Sequence, residues 1–287
     1  MRPVQAVFIT AAVVLRSLKH KSLSPSGALA AAVVGLGTFS NDVAMFTVTL
    51  LAFFLSSSKL TKLKSKRKQA LDAHYAEGGQ RDLYQVFSNG LTGTLLSLVY
   101  TYYFDGASGV PFFDLNSPWA RTLVLMYVTH YACCNGDTWA SELGVLHKQW
   151  PVLITTLHRV PPGTNGGISS TGLLASLGGG AVIGWFAAFS LWVQFWYRQW
   201  DAEGSTLVHG FPWFVVATGA LGGLLGSLVD SVLGAVLQSS YLTPEAKVSN
   251  ERRSAQDKLI TGYNVLSNNQ VNFIASLSTA LLVGWIS

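Results

Sequence analysis

Charge is what this 287-residue sequence has least of: Asp, Glu, Lys and Arg make up 11% of it, against 49% hydrophobic residues and a mean hydropathy of +0.36. So few charges cannot solvate the surface of a soluble domain of this length, and the balance is that of a polytopic membrane protein. Cysteine is nearly absent. Only Cys133 and Cys134 occur, side by side, which excludes a disulfide framework and a cysteine-rich metal site. A Walker A loop, a protein-kinase catalytic-loop signature, a Cys/His metal cluster and a Ser-His-Asp spacing are also missing, so no common nucleotide or hydrolase motif is in play.

What the chain does contain is apolar runs, at 4–15, 27–39, 43–55, 86–104, 119–134, 168–196, 211–237 and 271–286. A crossing takes ~20 residues, so the second and third runs are short, and predict half-helices or helices extended by flanking polar residues. The expected fold is all-α, a polytopic transmembrane helix bundle of about seven or eight spans forming one integral-membrane domain over residues 1–287. The first run lacks a small-residue cleavage site and is expected to stay as a helix. No plastid transit peptide is expected ahead of it.

Positive charge is scarce in alternate loops. Sixteen of the nineteen Lys and Arg residues fall between the first and second runs, the third and fourth, the fifth and sixth, and the seventh and eighth. That alternation predicts a cytosolic face carrying those loops, with the N-terminus outside. It also assigns the net charge of +5 to membrane orientation, not to nucleic acid. The largest such loop spans about 56–85, where Lys59 and Lys62 share a helical face. They are expected either to touch anionic headgroups or to guide a polyanionic ligand.

The few acids carry the functional argument. Residues 135–144 read NGDTWASELG and follow an apolar run, so Asp137 is expected where a membrane helix reaches its aqueous rim, with Glu142 beyond it. In the seventh run, Ser227, Asp230, Ser231, Gly234 and Gln238 fall at i, i+3, i+4, i+7 and i+11, one polar stripe on an apolar helix. An acid inside such a span is costly unless a polar cavity receives it. The glycines of the sixth and seventh runs, Gly178, Gly179, Gly180, Gly184, Gly219, Gly222, Gly223 and Gly226, predict close helix packing. His130, seven residues before Asp137, is expected to be a hydrogen-bonded core residue.

Two further segments fall on the same predicted face. Arg159 precedes two prolines and then Gly163, Thr164, Asn165, Gly166 and Gly167, which lead into an apolar helix. A glycine-rich turn at a helix start suits a phosphate group. Asn268, Asn269 and Asn272 stand at the start of the last run, as ligands for a base, sugar or phosphate or as a helix cap. Two carboxylates beside a phosphate-binding turn suit Mg²⁺ bridging the phosphates of a nucleotide, and phosphoryl transfer asks mainly for positioning and charge neutralisation.

Six ordered blocks, SKLTKLKSK, EGGQRDLYQVFSNG, NGDTWASELG, VPPGTNGGIS, GSLVDSVLGA and NNQVNF, resemble the transmembrane protein 19 family, long described as a domain of unknown function. The match runs from about Ser17 to the C-terminus. The family includes the plant phytyl-phosphate kinase of vitamin E salvage, which makes an isoprenyl diphosphate from the monophosphate. The resemblance implies a membrane-embedded, CTP- and Mg²⁺-dependent kinase acting on an isoprenyl monophosphate. On that basis Asp137 and Asp230 are expected to hold the metal with Glu142 assisting. Lys59, Lys62 and Arg159 would offset phosphate charge, Gly163, Gly166 and Gly167 would cradle phosphates, and Thr164, Asn165, Ser227, Asn268, Asn269 and Asn272 would orient the nucleotide. The expected partners are CTP, an isoprenyl phosphate and membrane lipids, with the active face cytosolic in the endoplasmic reticulum or plasma membrane. An ion-coupled transporter built on the seventh-span stripe is one alternative. A cytidylyltransferase using the same metal site on a lipid phosphate is another.

Overall fold

A computed structural model of the chain describes residues 3–61, 80–104, 117–145, 149–199 and 210–287. Eight helices occur among them: α1 Pro3–Lys19, α2 Pro25–Phe39, α3 Ala44–Thr61, α4 Leu83–Phe104, α5 Pro118–Gly144, α6 Ser170–Gln199, α7 Phe211–Leu237 and α8 Asn268–Ile286. Each grows from one of the apolar runs. By length and composition, α3, α6 and α7 are long and apolar enough to cross a membrane, and α2 is a shorter apolar helix. Their outward faces carry apolar side chains such as Trp185, Trp192, Leu221, Leu225 and Val232, as a lipid-facing surface requires.

The two short runs resolve in the two ways expected, and one boundary departs from expectation. α3 is lengthened by Ser56, Ser57, Ser58 and Lys59, up to Thr61, whereas α2 stays at 15 residues under a Ser24 cap. α5 does not end at Cys134. It runs on through the whole NGDTWASELG block to Gly144, so Asp137 lies inside a helix and not at its rim. Two small sheets also accompany the helices. β1 Val152–Leu153 pairs antiparallel with β2 Gly167–Ile168. β3 Ser240–Leu242 lies between β4 Val248–Ser249 and β5 Lys258–Thr261. An all-α description therefore holds for the bundle and not for its connecting loops.

Neighbouring helices alternate in direction, so the C-terminal ends of α3, α5 and α7 meet the N-terminal ends of α4, α6 and α8. Cross-helix contacts fix this: Thr129 and Cys133 of α5 lie against Gly222 and Gly226 of α7, while Gly180 and Gly184 of α6 lie against Gly219 and Val215. The α5–α6–α7 contact is made by backbone. A Cβ at Gly136 would come within 2.8 Å of the Gly223 Cα, and one at Gly219 within 2.7 Å of the Gly184 Cα. Small residues here let peptide dipoles and Cα atoms pack directly.

The opposite end of the bundle is closed by aromatics. Tyr127 lies edge-on to Phe46 with centroids 4.6 Å apart, and its hydroxyl donates to the Phe46 carbonyl at 2.6 Å. Tyr100 and Tyr131 complete a fully buried cluster around them. Gln194 of α6 holds the α2–α3 turn, accepting from the Ala44 N–H at 2.8 Å and donating to the Asp42 carbonyl at 2.9 Å. One end is thus packed shut, and the other opens.

Candidate functional site

The open end holds a cavity of about 560 Å³ lined by residues from α3 through α8. Its size is that of a small-molecule site, for which ~300–1,000 Å³ is usual. Asp137 and Asp230 both line it, close enough for each charge to bear on the other.

The block before Asp137 explains how it is held. Asn135 is buried; its amide donates to the Gly179 carbonyl at 2.8 Å, and its oxygen accepts from the Ser56 hydroxyl at 2.7 Å. One side chain thereby joins α3, α5 and α6. Gly136 then lets α5 lie directly on Ser176 and Gly223, and Asp137 turns into the cavity. Asn fixes the register, Gly permits the approach and Asp presents the charge.

On α7 the polar stripe faces the same space: Ser227, Asp230, Ser231 and Gln238 all line it. Opposite stands α8, whose start is fixed by a reciprocal cap between Ser267 and Gln270. The amide of Asn272 satisfies its neighbours with its nitrogen toward α7, donating to Asp230 Oδ2 at 3.0 Å and to the Asn268 carbonyl at 3.1 Å. Asn268 and Asn272 line the cavity, and Asn269 does not. Residues one apart on a helix diverge by about 100°, whereas those four apart share a face.

The whole turn from Gly163 to Gly167 lines the cavity, but its amides are largely spent on its own fold. Thr164 N–H donates to the Pro161 carbonyl at 3.2 Å, Gly167 N–H to the Thr164 carbonyl at 3.0 Å and Asn165 N–H to Ser240 Oγ at 3.0 Å. The Asn165 side chain donates to the Ser239 carbonyl and to Asn250 Oδ1 at 3.2 and 3.1 Å, tying this loop to the β3–β5 sheet. Gly166, at φ +76°, lies so close to α7 that a Cβ would meet the Ser231 carbonyl at 2.7 Å and the Ala235 Cα at 2.8 Å. What then faces the cavity with positive polarity is the start of α6, where Ser169, Gly172 and Leu173 are lining residues and the helix dipole favours an anion.

The expected cations are not where the sequence put them. Lys59 and Arg159 are exposed and do not line the cavity. Lys59 ends α3 on its solvent side, and Arg159 belongs to an outward bridge with Val152. Lys62, with most of the basic loop, lies outside the described residues. Among the described residues the cation lining the cavity is Arg81. It is buried, donates to Ser58 Oγ at 2.9 Å and to Ser57 Oγ at 3.1 Å, and lies 5.7 Å over the Phe54 ring. Burial lowers its pKa to about 10, against the raising influence of the Glu142 charge, and this still leaves it a cation at neutral pH. Glu142 also lines the cavity. Gln85 and Asn89, four apart on α4, line it too. That spacing was the available signal for those two, whereas Arg81 precedes the helix and no periodicity places it. His130 is buried and meets the Asn89 carbonyl at 3.0 Å, the core role expected of it.

Among the described residues no three His, Cys, Asp or Glu side chains gather as a metal cage. Two carboxylates on one polar cavity are nevertheless a donor set that fits Mg²⁺, which keeps waters and takes phosphate oxygens for its remaining positions.

The match to known proteins extends over most of the chain. The model of an integral membrane protein family, DUF92, matches residues 8–280. The chain belongs to that family. Among its relatives, Protein PGR of Arabidopsis thaliana is 39% identical over 284 residues, covering 98% of this chain and 94% of that protein. An uncharacterised membrane protein of Methanocaldococcus jannaschii is 26% identical over 81% of this chain and 82% of its own. Protein VTE6 of Arabidopsis thaliana, whose name places it in the chloroplast, is 28% identical over 54% of this chain and 44% of its own. No solved structure matches the chain at a significant level.

Proposed function

We propose that this DUF92 protein is a membrane-embedded kinase that passes the terminal phosphoryl group of CTP to an isoprenyl monophosphate, giving the diphosphate and CDP. The observation that supports this reading is the meeting of Asp137, Asp230 and the glycine-rich turn on one cavity of nucleotide size. The acceptor oxygen belongs to a phosphate that is already ionised near neutral pH, so the site has no general base to supply. Its task is to hold two polyanions in line and offset their charge.

In this reading Asp137 and Asp230 hold Mg²⁺, with Asn272 fixing the Asp230 carboxylate through its amide. The ion would supply charge neutralisation across the phosphate oxygens. The start of α6 receives the nucleotide's phosphates, the turn of Thr164 and Asn165 shapes the pocket beside them, and Asn268 with Ser227 orients the nucleotide. The bundle crosses the bilayer with eight helices, N-terminus outside and the cavity cytosolic, as the basic loops predict.

Purified protein in lipid nanodiscs, given CTP, Mg²⁺ and farnesyl or phytyl phosphate, is expected to yield CDP and the prenyl diphosphate. Asp137→Asn and Asp230→Asn are each expected to lower kcat by about 100-fold or more; unchanged turnover in both refutes the roles given to them. Release of pyrophosphate with a CDP-lipid would identify a cytidylyltransferase instead. The transporter reading has less support, because the cavity-lining residues come from one end of the bundle and the other end is filled by the tyrosine cluster.

A further inference from the structure

A second, apolar cleft opens between α1, α2, α3 and α4, lined by side chains such as Val13, Ala31, Val34, Leu50, Phe54 and Val86. Four residues, Phe53, Arg81, Gln85 and Asn89, line both this cleft and the polar cavity, so the two spaces adjoin. At the junction stands Arg81. Its backbone is locked between α1 and α2 by the Arg81 N–H to the Ser22 carbonyl at 3.1 Å and the Ser24 N–H to the Arg81 carbonyl at 3.0 Å. The absence of a side chain at Gly27 lets α2 close onto that same peptide, which a Cβ would strike. Several elements are thus committed to holding one guanidinium where an oily cleft meets a polar one.

We propose that this junction is the site of the lipid substrate: the cleft takes the first isoprene unit of a single-chain prenyl phosphate, and Arg81 takes its phosphate. The proposal rests on the kinase reading and names where that kinase's acceptor binds. Three observations carry it. Apart from Thr10 and the residues at the junction the cleft is apolar, as an alkenyl chain requires and a nucleotide does not. The cation at its inner end is an arginine, whose planar fork matches phosphate oxygens. The cleft's interior, about 60 Å³, holds roughly five water-sized spheres at ~10–15 Å³ each. A space that narrow takes one chain and not two, so a single-chain prenyl phosphate enters by its phosphate end and leaves the rest in the bilayer, while a two-chain phospholipid would not seat both chains. Gln85 and Asn89 then line the passage along which the phosphate faces Asp137 and Asp230.

The test uses the full-length protein in phosphatidylcholine nanodiscs and a farnesyl phosphate analogue with a diazirine in its first isoprene unit. Photolabelling is expected on the α2 and α4 segments that carry Ala31, Val34 and Val86. It should be competed by farnesyl phosphate at about tenfold lower concentration than by farnesol, and not by inorganic phosphate. Ala31→Phe, or Val13→Trp from the facing helix, should abolish that labelling and raise the KM for farnesyl phosphate about tenfold without moving the KM for CTP. Arg81→Lys should keep labelling but narrow the preference for farnesyl phosphate over farnesol. Labelling elsewhere, competition by farnesol equal to that by the phosphate, or undiminished labelling in both cleft-filling variants overturns the proposal. If labelling follows the expected pattern but no prenyl phosphate is turned over, the lipid site stands and the kinase reading fails.

Discussion

The seam joining α5, α6 and α7 yields a prediction that can be worked from its geometry. In Gly180→Ala the new methyl carbon would strike the Gly219 carbonyl oxygen and lie 2.8 Å from the Gly223 Cα and 2.9 Å from its nitrogen, against an optimal carbon separation of ~3.5–4.0 Å. All three neighbours are backbone, so no side chain can swing away and the two helices must part by roughly 1 Å. A gap of that size gives up about a quarter to a half of each dispersion contact along the seam. Overpacking of this kind costs ~1–3 kcal/mol, or roughly 2–12 °C in Tm at ~2–4 °C per kcal/mol. Gly178, two residues away on the same helix, is the internal control, because a Cβ there meets nothing within 4 Å. Gly178→Ala should gain ~0.5–1 kcal/mol from reduced backbone entropy in the unfolded chain. The assay is thermal unfolding of both variants and the parent in the same detergent. The two alanines must move Tm in opposite directions; equal melting temperatures would mean that α6 and α7 do not meet through their backbones.

Other outcomes follow from the site. Asn272→Leu removes the amide that donates to Asp230 and should raise the Mg²⁺ concentration needed for half-maximal turnover about 10–100-fold, measured by metal titration. Lys59→Ala and Arg159→Ala, both exposed and away from the cavity, should leave the KM for CTP within about twofold, a surface-sized effect. Asp257 accepts from the backbone N–H groups of Arg253 and Ser254 at 2.7 and 2.9 Å. Asp257→Ala should therefore cost ~1–3 kcal/mol locally, visible as faster amide exchange in that loop with the helices unaffected.

How much of this was legible depended on whether the signal was local. The seventh run and α7 share the bounds 211–237, because uniform apolarity, a preceding Gly210 and Pro212 mark a helix without help from tertiary structure. The polar stripe on α7 was readable for the same reason, as periodicity alone places its members on one face. The end of α5 was misplaced by periodicity. Apolar residues stop at Cys134, but the helix continues because its later polar side chains face an internal cavity in place of water. Arg81 could be counted but not placed, since its partners are the hydroxyls of Ser57 and Ser58, more than twenty residues earlier on another helix. Strands of two to four residues exist only through their pairing partners and left no pattern to read.

The turn entering α6 rests on α7 through Gly166, one helical turn past Asp230. The spacing between that turn and the acid is therefore ruled by a single rigid rod, not by how two rods happen to slide in the surrounding lipid. A thicker or thinner bilayer can tilt the bundle, yet the gauge between that turn and the carboxylate travels with α7. The end of the bundle that holds the cavity thus keeps its inner spacing whatever the thickness of the membrane around it.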